Sequence, residues 1–491
     1  MRAFVASLVV LLTTNSAHAD LSTVGGEGAN ALVTGLNGLG SVIGQVEFKR
    51  PGKPGFDDPQ YVHNQVNPTQ VYASTNPDFP NSPFVQNNNH AISVAGVMIS
   101  SGGLLRGIAP SASLHSGAMN SQDDESFAFV GNRIARLQEM RAINVSVGRS
   151  ITGLEVADGT TYVSLFVDWS SKVHDVLWVV GGDEDGRDVH VPQDNFNGIT
   201  VAASQRFNGG ITGSYRQVSP NNILTFDAVG HRTSIDLMAP GEDILLPIQN
   251  NMDIVGGGTS FTAPHVTGAV ALLDQYGNFQ ESMSNPRFTG EHERHEVMKA
   301  ILLNTADKLN DVHGSNRNVV TKPGDGATSW LSSVAYGSPF VALDEQMGAG
   351  HLNVESALEN YKTGKYGPSA FGQQSTYVPQ IGWDYGSVGL FGSNDYIFNQ
   401  AVGGGYVSIT LAWDRTVEST SGDDNYSSGD QFFNPTLNNL DVYLLPANSN
   451  NIGDAIRAST TLDDNLEHIF FAVPAGQYKI RIEHNGGISD A

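Results

Sequence analysis

Residues 256–266 hold the residue types that nucleophilic catalysis needs, in a suitable order. The run Gly256-Gly257-Gly258 lets the backbone pass close to a substrate, and Ser260 then precedes a helical pattern with Pro264 in its first turn. A serine in that place is exposed, and its own N–H is one of the unpaired donors of the helix start. An ordinary serine N-cap is the simpler interpretation, and the segment taken alone favours it.

The same segment resembles the nucleophile motif of the subtilisin-like serine proteases, Gly-Thr-Ser-x-x-x-Pro-His-Val, at every specified position. Other segments then fall into that family's order along the chain. They are residues 89–96, similar to the catalytic-histidine helix but with Ala91 in place of the usual glycine; 107–112, the turn after that helix; 143–148, the strand whose edge pairs with a bound peptide; 236–241, the segment before the nucleophile; and 346–350, the glycine-rich end of the domain. The resemblance covers roughly residues 40–360.

The resemblance implies a catalytic triad. Ser260 would attack the scissile carbonyl, and His90 would take its proton and later give it to the leaving amine. The family's carboxylate is an aspartate at the end of the first strand, and the acid at that place here is Glu47. Glutamate is one methylene longer, but triads with glutamate do occur, so Glu47 is assigned the third role. Ser146, Val147 and Gly148 carry the Ser-x-Gly pattern and are the predicted substrate-binding residues.

A second departure from the family concerns the oxyanion position. The family has Ala-Gly-Asn there, whereas this chain has Gly181-Gly182-Asp183, which places Asp183 where the asparagine belongs. An ionised carboxylate would repel the developing oxyanion, whereas a protonated one could donate a hydrogen bond to it. Because burial raises the pKa of a carboxyl group, the hypothesis is that Asp183 works protonated and that activity is best at acidic pH. A different register of this loop is the competing interpretation.

Alternating strands and helices must position these residues. Strand-like runs at 41–46, 143–147 and 176–180 alternate with helical spacing at 91–99 and 262–273, after which Gly277 is the predicted C-cap. Such alternation predicts a mostly parallel sheet covered on both faces. Together with the resemblance, it gives the fold class as α/β, a subtilisin-like three-layer α/β/α domain with a mostly parallel central sheet.

A different pattern begins after about residue 361. Apolar residues now alternate with period two at 407–413, 440–444, 469–473 and 478–482, and 474–476 is the predicted turn between the last two strands. The pattern predicts a small, jelly-roll-like all-β sandwich, which resembles modules that follow the catalytic domain in many secreted subtilases. The predicted division is 1–19 signal peptide, 20–360 catalytic domain, 361–375 linker and 376–491 sandwich. Substrate capture and adhesion are open roles for the sandwich, and a structural cap is slightly preferred.

Composition argues against several classes of protein. The chain has 50 Asp and Glu residues against 26 Lys and Arg, and its formal charge of -24 argues against nucleic-acid and anionic-membrane partners. It has no cysteine, which excludes disulfides, thiolate metal sites and a cysteine nucleophile. Met1-Arg2, the apolar run 3–12 and Ala17-His18-Ala19 have the layout of a secretory signal peptide. We expect a secreted monomer, extracellular or periplasmic, that acts on proteins or peptides.

No cofactor or catalytic metal is predicted. His292-Glu293-Arg294-His295-Glu296 departs from the zinc-protease motifs and is interpreted as a solvated helix face. Calcium can serve as a structural ion, but no acidic segment fits a calcium loop and its ligands stay unknown. The alternative function is a catalytically weakened homologue that works as a binding or adhesion protein, because Glu47, Ala91 and Asp183 depart from the motif. Retention of His90 and Ser260 favours the protease.

Overall fold

The computed structural model describes residues 5–11, 35–73, 76–80, 87–102, 105–119, 123–153, 155–182, 190–206, 215–217, 230–309, 329–370 and 372–489. The helices are α1 (Asn89–Ile99), α2 (Asp124–Ala135), α3 (Tyr162–His174), α4 (Ala263–Ser282), α5 (His295–Asn304), α6 (Val334–Gly337) and α7 (Val354–Lys362). The strands are β1 (Val5–Leu11), β2 (Val42–Glu47), β3 (Gln70–Ala73), β4 (Asn76–Pro80), β5 (Ser113–Ala118), β6 (Met140–Val145), β7 (Arg149–Ser150), β8 (Leu177–Gly181), β9 (His190–Val191), β10 (Ile199–Arg206), β11 (Tyr215–Gln217), β12 (Leu237–Pro240), β13 (Ile244–Ile248), β14 (Met252–Gly256), β15 (Ile381–Tyr385), β16 (Ser393–Ile397), β17 (Val402–Ala412), β18 (Thr416–Ser419), β19 (Phe432–Pro446), β20 (Arg457–Ser459), β21 (Leu466–Gly476) and β22 (Tyr478–Ser489).

A nine-stranded sheet forms the centre of the first domain. Its order is β11-β10-β8-β6-β2-β5-β3-β4, and β12 also pairs with β10. The pairings of β2, β3, β5, β6, β8, β10 and β12 with one another are parallel, whereas β4 and β11 are antiparallel. The prediction of a mostly parallel sheet is therefore confirmed. Parallel strands bring their carboxyl ends to one edge, which is where a site can assemble.

Helices cover both faces of this sheet. Alternate residues of β8 point to opposite faces, so that Val179 joins the core under α1, α4 and α5 while Trp178 and Val180 join the core under α2 and α3. Burial on both faces explains why these strands read as continuous apolar runs rather than as alternating ones. The three-layer α/β/α arrangement predicted from the sequence is confirmed.

Helix α4 is longer than its sequence pattern predicts. It continues to Ser282, so the prediction that Gly277 is its C-cap is wrong. Gly277 is buried inside the helix, where a Cβ atom would lie 2.3 Å from atoms of both His292 and Tyr361. The glycine is required by close packing rather than by a helix end.

The second domain consists of two antiparallel sheets packed face to face. Their orders are β15-β1-β17-β21 and β16-β22-β19-β18, with β20 paired to β19. Ile409 and Leu411 of the first sheet share one core with Leu440, Val442 and residues of β22 from the second. The predicted all-β sandwich is what the structure contains. The predicted turn at 474–476 is wrong, since these residues belong to β21, and β21 and β22 lie in different sheets.

Strand β1 lies inside the predicted signal peptide. Its backbone pairs with β15 on one side and with β17 on the other, with Ser7 opposite both Trp383 and Thr410. The signal peptide stays a prediction from the sequence. Among the described residues, none of the helices combines the length and apolar character that crossing a bilayer requires.

The segment 292–296 is largely buried: His292, His295 and Glu296 are buried, and Glu293 and Arg294 are half-buried. His292 and His295 have exposed fractions of 0% and 1%, so the interpretation of this segment as a solvated helix face is wrong. His295 Nδ1 lies 2.8 Å from Asp175 Oδ1, at the end of α3, and its Nε2 lies 2.9 Å from Asp414 Oδ1 in the sandwich. Burial opposes a charge on this ring, but Glu296 and Asp414 outweigh it and raise the pKa of His295 well above its usual 6.5.

This bridge makes stability depend on pH. Because the folded-state pKa of His295 lies above its unfolded value, its stabilisation is complete below about pH 6.5 and is lost as the pH rises through the raised pKa. We expect His295→Gln to lower the free energy of unfolding by about 3 kcal/mol near neutral pH, as removal of one partner of a buried ion pair does. The difference from wild type should shrink as the pH is raised from neutral to alkaline values, because the ring loses its charge as the pH passes through the raised pKa. Thermal unfolding across this range measures it, and an equal loss at both ends would contradict the assignment.

Candidate active site

Glu47 ends β2 at the carboxyl edge of the central sheet. Its side chain is only 3% exposed, and its Oε2 lies 3.1 Å from His90 Nδ1. Because β2 pairs with β5 on one side and with β6 on the other, the position of the carboxylate is fixed by the middle of the sheet. Glu47, the acid at the end of this strand, is therefore within hydrogen-bond distance of the imidazole of His90, where the resemblance predicts a carboxylate.

His90 is the second residue of α1. The Asn88 side chain caps this helix and accepts the backbone N–H of His90 at 2.9 Å, which fixes the imidazole at the helix start. The side chain of His90 is 34% exposed, so the ring borders on solvent on the side away from Glu47. Ala91, which replaces the usual glycine, is buried, and its carbonyl accepts from Gln45 Nε2 at 3.1 Å. The extra methyl group is thus accommodated within the helix.

Ser260 lies in a 3-10 turn, Thr259–Phe261, immediately before α4. The preceding Gly258 has φ 137°, a conformation that L side chains rarely adopt, and its N–H donates to the Gly241 carbonyl at 2.6 Å. Thr259 Oγ1 donates to the Gly182 carbonyl at 2.5 Å. The turn is therefore tied to the ends of β8 and β12. The Ser260 hydroxyl donates to the Ser146 carbonyl at 3.5 Å.

Ser146 supports the nucleophile as well as bordering the cleft. Its Oγ donates to the carbonyl of Ser260 at 2.7 Å and accepts from Asn144 Nδ2 at 2.9 Å. The sequence pattern predicts only substrate binding for Ser146 and indicates no role for Asn144. The signal was present, because residues two apart on a strand share a face, and a buried asparagine beside Ser146 needs a partner.

One cleft of about 390 Å³ contains the predicted site residues that the structure describes. It is lined by Glu47, Phe48, Asn88, His90, Ser146, Val147, Gly148, Val180, Gly181, Gly182, His190, Val191, Pro192, Gln193, Thr259 and Ser260. The structure thus brings together the three residues of the predicted triad and the 146–148 strand edge. Asp183 lies outside the described residues, directly after Gly182. The wall formed by residues 190–193 carries no sequence motif and was missed.

His265, within the nucleophile motif, has a different role from His90. It is fully buried, and burial lowers the pKa of its imidazole to about 4, so the ring is neutral at physiological pH. Its Nδ1 lies 2.6 Å from the carbonyl of Phe261, the residue after the nucleophile. A neutral histidine that donates here holds the turn in place. Of the two histidines, His90 is the one placed for acid–base chemistry.

Two groups of described residues have the donor atoms of a metal site. They are Asp175 with His295 and Glu296, and Glu281 with His292 and Glu293. Arginines already neutralise both: Arg294 Nη1 lies 2.9 Å from Asp175 Oδ2, and Arg141 Nη2 lies 2.6 Å from Glu293 Oε1. Neither group is the all-oxygen set that calcium prefers. A structural calcium ion stays a prediction without assigned ligands.

Comparison with known proteins adds sequence relationships to this geometry. The intracellular serine protease of Paenibacillus polymyxa is 32% identical over 133 residues, which are 23% of this chain and 41% of that protein. Subtilisin NAT of Bacillus subtilis subsp. natto is 28% identical over 202 residues, 39% of this chain and 47% of that protein. The matches therefore span less than half the length of these curated relatives. The solved structure of the S41 psychrophilic protease aligns with 69% of this chain and 100% of its own, at 17% identity and a TM-score of 0.46.

The model of the subtilase family, Peptidase S8, matches residues 13–321. This range takes in the strand that ends at Glu47, the helix that begins beside His90 and the turn that carries Ser260. These three elements meet in one cleft, and the chain belongs to the subtilase family.

Proposed function

We propose that this chain is a secreted serine endopeptidase that hydrolyses peptide bonds through an acyl-enzyme intermediate. The observation that carries the proposal is the Glu47–His90 bond of 3.1 Å in the same cleft as Ser260. Family membership supports it, as do the printed names of the curated relatives, which are serine proteases. Export is supported by the signal-peptide layout of residues 1–19. We propose in addition that the enzyme acts as a monomer without nucleic-acid or membrane partners.

The proposed reaction begins with rotation of the Ser260 hydroxyl. Its bond to the Ser146 carbonyl is long, at 3.5 Å, and in the proposed mechanism the hydroxyl exchanges this bond for one to His90 Nε2 when substrate binds in the cleft. His90 takes the proton as Ser260 Oγ attacks the scissile carbonyl, and Glu47 Oε2 stabilises the imidazolium through Nδ1–H. His90 then gives the proton to the leaving amine. In the second half of the reaction, water attacks the acyl-enzyme, and His90 takes a proton from this water and returns it to Ser260 Oγ.

Substrate would lie along residues 146–148. A backbone edge of this kind pairs with an extended peptide, so that main-chain hydrogen bonds align the scissile bond with Ser260. The cleft that contains Ser260 is also lined by Gly181, Gly182 and residues 190–193, and it would receive a substrate side chain.

Labelling with a fluorophosphonate probe tests the proposed function. We expect one covalent adduct per chain, mapped to Ser260 by mass spectrometry of a digest, together with cleavage of an unfolded protein substrate. Native protein that forms no adduct, while trypsin in the same tube does, would favour the alternative of a weakened homologue that binds or adheres.

Asp183 is proposed to act as a protonated donor at the oxyanion position, on the sequence argument alone. Loss of one oxyanion donor costs about 10²–10³ in kcat, so an ionised Asp183 should limit the enzyme at neutral pH. We expect Asp183→Asn to raise kcat at about pH 7–8 by up to about 10² and to flatten the acidic optimum, since an amide donates at every pH. Paired pH–rate profiles measure this, and a variant with no gain at neutral pH would refute the role.

A further inference from the structure

The wall of the cleft formed by residues 190–193 leads into a buried turn. Residues 190–193 line the cleft, whereas Asp194, Asn195, Phe196 and Asn197 are each at most 1% exposed. This turn ends where β10 begins, and Thr200 Oγ1 donates back to the Gln193 carbonyl at 2.7 Å. The conformation of the wall is therefore set by whatever fixes the turn.

Two buried aspartates hold the turn from within the catalytic domain. Asp168 Oδ1 accepts the backbone N–H groups of both Phe196 and Asn197 at 2.8 Å. Asp194 accepts the N–H of Gly159 at 2.8 Å and the Ser164 hydroxyl at 2.5 Å. A carboxylate that accepts backbone N–H groups keeps its geometry only while its charge is compensated, because an unpaired buried charge is very unfavourable.

The compensating charge for Asp168 comes from the sandwich. Arg415 Nε and Nη2 lie 3.0 Å and 2.5 Å from Asp168 Oδ2, and both side chains are 0% exposed. Nη2 also donates to the Gly159 carbonyl at 2.6 Å. One guanidinium group thus reaches both the aspartate that orders the turn and the loop that carries the Gly159 N–H to Asp194.

Backbone groups of the sandwich bind the same turn. The N–H of Arg415 donates to Asn197 Oδ1 at 2.8 Å, and Asn197 Nδ2 donates to the Arg415 carbonyl at 2.9 Å. Asn465 Nδ2 adds a bond to Asn197 Oδ1 at 3.1 Å. The ring of Phe196 lies between two guanidinium groups, with Arg415 Cζ at 3.8 Å and Arg232 Cζ at 3.7 Å from its centroid. The turn is therefore bonded directly to the sandwich, through Arg415 and Asn465, as well as to the first domain.

We propose that Arg415 is a positioning residue for substrate binding: through Asp168 and the 194–197 turn, the sandwich domain sets the 190–193 wall of the cleft. The inference rests on the proposed protease function and deepens it. It changes the expected role of the second domain from a structural cap to a working part of the substrate site. Arg415 does not line the cleft, so its effect is on the shape of the wall.

Arg415→Lys tests the proposal in the full-length chain. Lysine keeps the charge but lacks the planar fork that contacts Asp168 and Gly159 together, and it cannot stack on Phe196 in the same way. For a peptide with a large side chain at the cleaved residue, we expect KM to rise about tenfold and kcat, per titrated active site, to change by less than about threefold. The rate of fluorophosphonate labelling should stay within about twofold, because this small probe does not use the wall.

A matched control and a milder variant keep the test decisive. Arg481→Lys alters the same kind of fork in strand β22 of the sandwich, where Arg481 Nε and Nη2 lie 2.7 Å and 2.9 Å from Asp395, and KM should not change. Should Arg415→Lys fail to fold, Asn465→Ser removes one bond to the turn and should raise KM about threefold. A purely structural role would lower the titrated fraction of active enzyme and leave KM unchanged. If Arg415→Lys or Asn465→Ser folds, reacts with the fluorophosphonate probe and has the same KM as Arg481→Lys, the inference is wrong and the proposed function still stands. If the wild type does not react with the probe, the proposed function itself is wrong.

Discussion

Ser260→Ala is expected to reduce kcat by about 10⁶ and to leave the fold intact; this magnitude is known from subtilisin, itself a subtilase, and is carried over rather than derived from this structure. The reason is that alanine removes the hydroxyl that forms the acyl-enzyme. The turn survives, because it is held by Gly258 and by Thr259, not by the Ser260 hydroxyl. KM for a peptide substrate should change little, since the walls of the cleft are untouched.

Single-turnover and steady-state peptide hydrolysis, with active sites counted by fluorophosphonate titration of wild type, measure this loss. Ser282→Ala provides the control, because Ser282 ends the helix that Ser260 precedes and its hydroxyl only caps the Phe279 carbonyl. Full activity in Ser260→Ala would show that a different residue is the nucleophile, and the triad assignment would be wrong.

Glu47→Gln is expected to reduce kcat by about 10⁴ with little change in KM, as the loss of the charged triad member does in other serine proteases. Among the described residues, Oε1 of Glu47 has no hydrogen-bond partner, so the bond from Oε2 to His90 is what this carboxylate contributes. A glutamine can present its NH₂ group to Nδ1 and stabilise the wrong tautomer, and it offers no charge to the imidazolium. The profile of kcat against pH, measured for both proteins, should show the loss at every pH.

Glu47→Asp tests the length of the acidic side chain while its charge is kept. The shorter side chain keeps the charge, but the strand fixes its Cα atom, so the carboxylate should fall short of His90 and kcat should drop about 10–10². The expected order of kcat is therefore wild type, then Asp, then Gln. An aspartate variant more active than wild type would mean that Glu47 is a weakening substitution, and it would support the alternative of a degenerate protease. Equal activity of Gln and wild type would remove Glu47 from the triad.

Several buried polar contacts join the sandwich to the first domain, in addition to the chain that connects the two. The Ser408 hydroxyl donates to Asn304 Oδ1 at 2.9 Å, His295 bridges to Asp414, and Arg415 pairs with Asp168. Each contact buries a polar group from each domain, which is costly unless the partner is in place. We therefore expect the two domains to unfold together rather than as independent units.

Local sequence patterns predicted the main helices and strands and the residues of the proposed triad. Glycine before Ser260 and an acid at the end of an apolar strand are local patterns, and each acts within a few residues of the side chain that it positions. The α/β alternation and the change to period two likewise report which face of each element is apolar. These features need no knowledge of the neighbouring elements, which is why they could be predicted.

The tertiary structure alone decided which buried faces meet. Periodicity could not show that residues 292–296 lie under the sandwich, because charged residues are buried only when partners far along the chain neutralise them. His295 and Asp414 are 119 positions apart, and Asp168 and Arg415 are 247 apart. The 190–193 wall was missed for the same reason, since its shape depends on such distant partners and on no local motif. In a sequence, a glycine such as Gly277 is equally consistent with a helix end and with a close contact. Only the packing of His292 and Tyr361 against it distinguishes the two.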